Sequence, residues 1–359
     1  MNQIKSIGLL LIVVFSCVQC KNDSKKNNEN EKPQHLPAIK LLSPANEDQF
    51  ITGDGAMSVE IEVNDASRIK DMSLFIDDTL YAENLKIESQ IINVPTENGK
   101  VGWVDLYLAY TDNNGKPHRD NRRVIFFSDK VPNQLFATKI ATYPHSKTSY
   151  TQGLEFYKGK LYESTGQVGQ SLIAEVDLAT GNQSRFKNLN APYFGEGITI
   201  LNDTIYQITW KSNVCFLYDM DFNKIGELNY EGQGWGLCNN GKSIIMTSGD
   251  SEIVWRNPRT FAIEKSIYAF HDQSDESNLN EIELINDKLY INVYMENKII
   301  EVDTTTGRVM SFIDCNSIAT EGQVGGADVL NGIAYNPITG KTYITGKLWP
   351  TLFEVKFEE

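Results

Sequence analysis

Apolar and polar residues alternate along the N-terminal third of the chain. Apolar side chains recur at every second position in residues 59–63, 72–76, 104–108 and 124–127, a pattern typical of strands with one buried face. Turn signals such as residues 112–116 separate these segments. The pattern predicts a small immunoglobulin-like β-sandwich over residues 37–130. We find no candidate chemistry in it and expect a spacer or docking role.

A second pattern begins after residue 130 and recurs with a period of about 45 residues. Each copy has two short apolar strands joined by an Asn, Asp or Gly turn, then a third strand and, in the first four copies, a fourth. Four-stranded units at this spacing are typical of β-propeller blades. The five copies predict an all-β fold with a five-bladed β-propeller over residues 131–359. Their first strands begin near Gly153, Gly197, Gly236, Ile282 and Gly332.

The fifth copy ends after its third strand and so lacks an outer strand of its own. Residues 136–142, which precede the first copy, are a candidate for that strand. Borrowing it would close the ring and leave no unpaired inner edge. An open solenoid is the alternative, but it would not require a borrowed strand.

The first twenty residues have the layout of a secretory signal. Lys5 precedes an apolar run, residues 7–15, and small and polar residues then lead to Cys20. The run is far shorter than the ~20 residues that span a bilayer as a helix. We predict a lipoprotein signal peptide over residues 1–20 with lipidation at Cys20, or at Cys17 as the next choice. An ordinary signal peptide is the alternative.

A polar segment, residues 21–36, follows the predicted leader. It is rich in Asn, Lys, Glu and Ser and cannot bury enough apolar surface to fold, so it predicts a disordered tether. Together with a lipid on Cys20, it predicts a membrane-anchored protein of the cell envelope, facing the periplasm or at the outer-membrane surface.

Composition excludes one class of partner and one class of scaffold. The net charge is −14, and no basic cluster occurs past the tether, which argues against nucleic acid because phosphates require a Lys/Arg footprint. Beyond the leader the cysteines are Cys215, Cys238 and Cys315, an odd number with no close spacing. A disulfide framework is not supported. Buried free thiols are favoured, and a Cys215–Cys238 bridge is the alternative.

Polar and aromatic residues gather where a propeller would place its channel mouth. The first strand of each blade is entered, and the second is left, at the same face, so residues at these places surround one mouth. Glu196 stands there between Gly195 and Gly197, which leave space beside it. The candidate set is Gln152, Glu196, Trp210, Trp235, Asn280, Glu281, Tyr294, Asn331, Lys347 and Trp349.

An aromatic-walled cup with a few converging polar groups has the composition of a pocket for a small molecule or a peptide end. Each member also has a purely structural interpretation. Glu196 could cap a turn, the tryptophans could pack between blades, and Lys347 could be a solvated rim charge. Their joint placement at one mouth favours the pocket.

The motifs of the five copies resemble those of the plant-type glutaminyl-peptide cyclotransferases, which also occur in bacteria. The resemblance covers residues 135–357. One departure is Tyr294, where many members have tryptophan after Asn-Val. The motifs are Tyr150-Thr151-Gln152-Gly153-Leu154, Tyr162-Glu163-Ser164-Thr165-Gly166, Gly195-Glu196-Gly197-Ile198-Thr199, Gly234-Trp235-Gly236-Leu237, Leu279-Asn280-Glu281-Ile282-Glu283, Asn331-Gly332-Ile333-Ala334, Thr345-Gly346-Lys347 and Trp349-Pro350.

The resemblance implies an enzyme that converts the N-terminal glutamine of peptides or proteins to pyroglutamate by intramolecular acyl transfer and releases ammonia. It implies that Glu196 transfers the proton and that Asn280 and Lys347 act on the scissile amide. We expect a monomer. The expected substrate-binding residues are Gln152, Trp210, Trp235, Tyr294, Trp349, Glu281 and Asn331.

No catalytic metal or other cofactor is expected, because the four histidines are scattered along the sequence and none falls at the predicted mouth. A structural cation in the channel stays open. The sequence also leaves two alternative functions open. One is a propeller lactonase or hydrolase that holds a divalent cation with Glu196, Asn280 and Asn331. The other is a non-catalytic propeller that binds peptide or glycan ends. The histidines are His35, His118, His145 and His271.

Overall fold

The computed structural model describes residues 37–96 and 99–359, and Ala38–Glu359 form one compact unit. The predicted signal peptide, the lipidation site Cys20 and the tether lie outside the described residues. None of the helices within the described ranges is long and apolar enough to cross a membrane.

Two packed β-sheets form the N-terminal part, as the alternating pattern predicts. One has the order β1-β3-β6, and the other has the order β2-β8-β7-β4-β5, with β2 parallel to β8. Their inward apolar side chains, among them Ile61 and Leu74, share one core. A 3-10 turn, Ala66–Arg68, precedes β4. The strands are β1 (Ile39–Ser43), β2 (Gln49–Ile51), β3 (Ala56–Val63), β4 (Ile69–Ile76), β5 (Thr79–Ala82), β6 (Gln90–Pro95), β7 (Gly102–Asp112) and β8 (Pro117–Phe127).

The repetitive part begins with one long strand and continues as successive antiparallel sets of strands. The long strand is β9 (Asn133–Pro144). The first three sets are separate four-stranded sheets whose strands pair in chain order. They comprise β10 (Thr151–Tyr157), β11 (Lys160–Thr165), β12 (Leu172–Val176), β13 (Gln183–Asn188), β14 (Gly195–Leu201), β15 (Thr204–Thr209), β16 (Val214–Tyr218), β17 (Lys224–Asn229), β18 (Leu237–Asn239), β19 (Ile244–Thr247), β20 (Glu252–Arg256) and β21 (Ile263–Tyr268).

The last two sets are joined into one sheet by β9. This strand pairs antiparallel with the third strand of the fifth set, which confirms the predicted borrowing. Its beginning also pairs in parallel with the fourth strand of the fourth set, which the sequence does not predict. The helix α1 (Asn316–Gly322) lies between the two sets. Their strands are β22 (Leu279–Ile285), β23 (Lys288–Val293), β24 (Lys298–Asp303), β25 (Val309–Asp314), β26 (Leu330–Asn336), β27 (Lys341–Gly346) and β28 (Thr351–Glu358).

Burial falls from the first to the fourth strand of each set. All residues of β14 are buried, whereas β17 is mostly exposed. The first strands also contact one another in a cycle, in which β10 contacts β14, β14 contacts β18, β18 contacts β22, β22 contacts β26, and β26 contacts β10. The repetitive part is therefore propeller-like, with its first strands at the centre.

The N-terminal sheets pack against the third and fourth sets. Arg308 donates to the hydroxyl of Thr52 at 2.9 Å and forms an ion pair with Asp129 at 3.1 Å. Arg123 donates to the hydroxyl of Tyr268 at 3.0 Å. These contacts join the two parts within one compact unit.

The cysteines of the repetitive part lie inside the protein, Cys215 and Cys238 on strands and Cys315 directly before α1. Cys215, Cys238 and Cys315 are all buried and free. Burial raises the pKa of each thiol, so all three are protonated at neutral pH. The favoured interpretation of buried free thiols is confirmed.

Candidate active site

The polar residues of the first strands sit on local irregularities of the sheets. In four sets the pairing of the first and second strands shifts beside the polar position, namely beside Gln152, Glu196, Asn280 and Asn331. A bulge adds an unpaired residue and redirects its side chain out of the regular alternation. This local geometry brings polar side chains from different sets to the centre of the cycle.

Glycines next to these positions let the first strands approach closely. A Cβ atom on Gly153 would lie 2.5 Å from the backbone nitrogen of Ile198, and one on Gly197 would lie 2.5 Å from that of Leu237. No side chain fits at such a distance, so the glycines are required for the packing of the central strands.

In the fourth set Glu281 stands where the other sets have glycine. Its carboxylate accepts hydrogen bonds from the backbone N–H groups of Leu154, at 3.2 Å, and Ile333, at 2.7 Å. Both donors follow the glycine of their own set. Glu281 thus ties β22 to β10 and β26 across the centre.

A cavity of about 190 Å³ opens above these bulges. Seven of the ten predicted site residues line it, together with two that the sequence analysis did not assign to the site, Tyr150 and Phe194. All five sets contribute. The lining residues are Tyr150, Gln152, Phe194, Glu196, Trp210, Trp235, Asn280, Tyr294 and Lys347.

The wall of the cavity is a series of aromatic rings in edge contact. Ring centroids lie 6.3 Å apart for Tyr150 and Phe194, 5.7 Å for Phe194 and Trp210, and 5.5 Å for Trp235 and Tyr294. Edge-to-face contacts at these separations are favourable. Each ring is thereby held by its neighbour.

Gln233 closes the gap between the two tryptophans. Its Oε1 accepts from the indole nitrogen of Trp210 at 2.6 Å and from that of Trp235 at 3.3 Å. Because one side-chain oxygen orients both indoles, the two rings hold a fixed distance from each other.

The floor is a chain of hydrogen bonds that ends on the carboxylate. Asn331 Nδ2 donates to Gln152 Oε1 at 3.1 Å and to the carbonyl oxygen of Thr151 at 3.0 Å. Gln152 Nε2 donates in turn to Glu196 Oε1 at 3.0 Å. Asn331 therefore lies behind Gln152 and orients it toward Glu196.

Burial shifts the protonation of both charged residues in the cavity. Loss of hydration raises the pKa of Glu196 well above its usual value, and the charge of Lys347 offsets only part of that rise. Burial likewise lowers the pKa of Lys347, although Glu196 and Asp328 favour its charged form. Burial thus favours the neutral form of both side chains, and their mutual attraction opposes this effect.

The ammonium group of Lys347 is held between two rings. Nζ lies 5.1 Å from the centroid of Tyr150 and 4.9 Å from that of Tyr294. Such cation–π contacts stabilise a desolvated cation. Tyr294, the departure from the family motif, thus has an electrostatic as well as a steric role.

Asn280 lines the cavity with an amide group whose oxygen makes no hydrogen bond to the described residues. Its Oδ1 is buried and has no hydrogen-bond partner among the described residues. A buried amide oxygen without a partner costs free energy unless a ligand supplies a donor. Asn280 is thus prepared to bind a donor such as an amine or an amide.

Three predicted site residues do not line the cavity. Trp349 is fully buried in the core beside α1, where its indole nitrogen donates to the carbonyl oxygen of Asp328 at 2.7 Å. The expectation that Trp349 contacts substrate is therefore not met by its position. The carboxylate of Glu281 accepts two backbone hydrogen bonds away from the cavity. Asn331 contacts Gln152, which in turn contacts Glu196.

Tyr150 and Phe194 lie outside the predicted set because each precedes the residues at the start of its strand. Each stands two residues before a polar floor residue, Gln152 and Glu196 respectively. Reading two positions further back in every copy would have found both. Tyr150 also donates through its hydroxyl to Asp328 at 2.9 Å.

The residues predicted to hold a divalent cation are Glu196, Asn280 and Asn331. Among the described residues no group of three or more His, Cys, Asp or Glu side chains is arranged to hold a metal ion. Of the three predicted residues Glu196 alone is a carboxylate, and the Oδ1 atoms of Asn280 and Asn331 are buried without a hydrogen-bond partner among the described residues.

Comparison with known proteins gives matches in the repetitive part of the chain. The family model for glutamine cyclotransferases matches residues 127–357, a range that contains every residue lining the cavity. The chain is 32% identical over 227 residues to a glutaminyl-peptide cyclotransferase of Arabidopsis thaliana. The aligned region covers 61% of this chain and 71% of the relative. It is also similar to the crystal structure of Myxococcus xanthus glutaminyl cyclase, with a TM-score of 0.60 and 31% identity over 63% of this chain and 98% of that one.

Proposed function

Since the chain belongs to the glutamine cyclotransferase family, we propose that it converts the N-terminal glutamine of peptides and proteins into pyroglutamate and releases ammonia. The observation that carries this function is Glu196, a carboxylate with a raised pKa at the floor of an aromatic cavity. A volume of about 190 Å³ is below the range typical of drug-sized ligands and suits a single terminal residue.

The reaction needs one proton to move from the attacking nitrogen to the leaving nitrogen. The neutral α-amine attacks the γ-carboxamide carbon, a new C–N bond forms, and the carbonyl oxygen becomes negative. Glu196 accepts a proton from the attacking nitrogen and gives it to the amide nitrogen, whose C–N bond then breaks. The products are pyroglutamate and ammonia, and Glu196 is again a carboxylate.

Lys347 and Asn280 are assigned to the γ-carboxamide. Lys347 is buried and held between two rings, so its ammonium form can stabilise the negative oxygen without reorganising. The Asn280 amide, which lacks a partner on its oxygen, adds a hydrogen bond to the substrate. Gln152 keeps Glu196 oriented, and the rings of Trp210 and Trp235 enclose the glutamine side chain.

Replacing Lys347 with methionine should lower kcat about 100-fold, because one well-placed charge on the oxyanion is worth roughly 3 kcal/mol. Ammonia release under saturating peptide measures the change. Lys341→Met is the matched control, since Lys341 begins β27, the strand that Lys347 directly follows, but pairs with Glu354 at 3.0 Å and does not line the cavity. Equal rates for the wild type and Lys347→Met would refute the assignment.

We propose that catalysis requires no metal ion or other cofactor, since the proton transfer and the oxyanion are served by side chains. Prolonged treatment with EDTA separates this account from the lactonase alternative. Activity that survives the chelator supports the side-chain mechanism. A structural cation in the channel would show itself as a fall in thermal stability with the chelator.

A peptide with an N-terminal glutamine tests the function itself. The peptide should release one equivalent of ammonia, whereas the same peptide with an acetylated N-terminus should release none, because its α-nitrogen cannot attack. Binding of the free peptide without ammonia release would instead favour a non-catalytic peptide-binding protein.

The finer architecture is also proposed. The cycle of contacts between first strands and the borrowed strand β9 support a five-bladed β-propeller over residues 131–359. The two packed N-terminal sheets support an immunoglobulin-like sandwich over residues 37–130. The sequence of residues 1–36 supports a lipid anchor on Cys20, a tether and an enzyme of the cell envelope that acts on peptides or proteins outside the cytoplasm. We propose that this enzyme is a monomer.

A further inference from the structure

A buried ion pair lies behind the loop that carries Lys347. His145 and Glu163 are buried side chains, and His145 Nε2 lies 3.1 Å from Glu163 Oε1. Glu163 also accepts from the hydroxyls of Ser149, at 3.0 Å, and Thr151, at 2.8 Å. None of these four residues lines the cavity.

The hydrogen bonds fix the charge state of the histidine. Nδ1 of His145 faces the carbonyl oxygen of Trp349 at 2.8 Å, and Nε2 faces the carboxylate of Glu163, so both ring nitrogens meet acceptors. Only the imidazolium donates from both nitrogens. Burial disfavours that charge, but Glu163 and the Trp349 carbonyl outweigh it and raise the pKa of His145.

Two hydrogen bonds to backbone carbonyl oxygens connect the ion pair to the loop that carries Lys347. His145 holds the carbonyl oxygen of Trp349, and the carbonyl oxygen of Ser149, whose hydroxyl is bound to Glu163, accepts from the N–H of Leu348 at 2.7 Å. These contacts fix the two residues that directly follow Lys347. On the other side of the loop, Val329 accepts from the N–H of Lys347 at 2.9 Å.

The backbone at this point is in a conformation that needs support. Leu348 has a φ of 63°, in the left-handed region that non-glycine residues avoid. A strained residue persists where its surroundings over-determine it. Here Glu163 accepts a hydrogen bond from the hydroxyl of Ser149, the residue whose carbonyl oxygen binds the N–H of Leu348.

We propose that His145 and Glu163 are positioning residues for Lys347, holding its loop so that the ammonium group stays between the rings of Tyr150 and Tyr294. The groups that face His145 are Glu163 on β11, Thr345 on β27 and the Trp349 carbonyl, and Gln183 on β13 bonds Ser149. Glu163 is the one carboxylate among them. This role rests on the proposed cyclisation.

A double-mutant cycle with Lys347 tests the proposal. His145→Leu should lower kcat about 100-fold, since a displacement of about 1 Å at a reacting group has that cost. His145→Gln should lose less, because its amide can still donate to the Trp349 carbonyl. In the Lys347→Met background, His145→Leu should change kcat by no more than about 3-fold, because the group it positions is gone.

Rates are expressed per folded molecule, as judged by near-UV circular dichroism. His271→Gln is the matched control, since His271 is also paired with carboxylates but is only half-buried and lies next to the N-terminal sheets. If His145→Leu does not fold, the cycle is run with Glu163→Gln, which keeps the shape of the side chain.

Each outcome decides one question. Equal losses with and without Lys347, or no loss in the single variant, would overturn the positioning role while leaving the cyclase intact. A wild-type protein that releases no ammonia would instead contradict the proposed function on which this role rests.

Discussion

Replacing Glu196 with glutamine should reduce kcat for cyclisation about 1,000-fold, the central value for loss of a general acid–base. The amide has the shape of the carboxyl group but can neither accept a proton from the attacking nitrogen nor return it to the leaving one. Gln152, which donates to Glu196 at 3.0 Å, can donate to the new amide oxygen as well, so the cavity should keep its form. Peptide affinity should therefore change little.

Glu155→Gln is the matched control for this variant. Glu155 is also buried and carries a raised pKa, but it lies outside the cavity lining. Ammonia release by both variants under saturating peptide separates the role of the site from the effect of removing a buried carboxyl. A Glu196→Gln enzyme with a rate near that of the wild type would show that another group moves the proton.

Thermal stability should fall as pH rises from 5.5 to 8.5, by on the order of 10 °C in Tm. Burial raises the pKa of Glu155 to about 8 and the pKa values of Glu281 and Glu283 well above the usual value. A carboxyl with a raised folded-state pKa contributes stability below its unfolded pKa and loses it as pH rises through the folded pKa. For Glu155 alone the loss between pH 5.5 and its folded-state pKa of about 8 is as much as roughly 3.5 kcal/mol, at about 1.4 kcal/mol per pKa unit.

His145, with its raised pKa, changes stability in the same direction as these carboxyls. Carboxylates whose pKa is lowered, such as Asp303 at about 2, are ionised throughout this range and do not contribute. Calorimetric scans at the two pH values measure the effect, and Glu155→Gln should flatten it. Stability that increases toward pH 8.5 would contradict this prediction. It would point to a cation that neutralises Glu155, Glu281 and Glu283.

Much of the fold could be predicted because the information is local. The apolar alternation of residues 59–63 lies within one strand, and Gly153, Gly197 and Gly236 recur within or directly before the first strand of each set. The borrowing of β9 followed from the missing strand of the last copy. Its parallel pairing with β25 could not be predicted, since it depends on how two sets approach each other in space.

The site was predicted by position, and the errors have a common cause. At a bulge the sequence does not show which of two neighbours faces the cavity, so Asn280 and Glu281 were assigned alike although only Asn280 lines it. After Leu348, whose left-handed backbone reverses the chain direction, Trp349 points into the core rather than toward Lys347. Tertiary contacts, which the sequence pattern does not show, determine which of these side chains faces the cavity.

The central claim is that the α-amine of glutamine attacks its own side chain inside this cavity. The direct measurement is the mass of the product formed in ¹⁸O-labelled water, in the presence of EDTA, from a peptide with ¹⁵N in its γ-carboxamide. Our account predicts a pyroglutamyl peptide without ¹⁸O and the release of all ¹⁵N as ammonia. A glutamyl peptide that contains ¹⁸O would show that water attacks instead, and would contradict intramolecular acyl transfer.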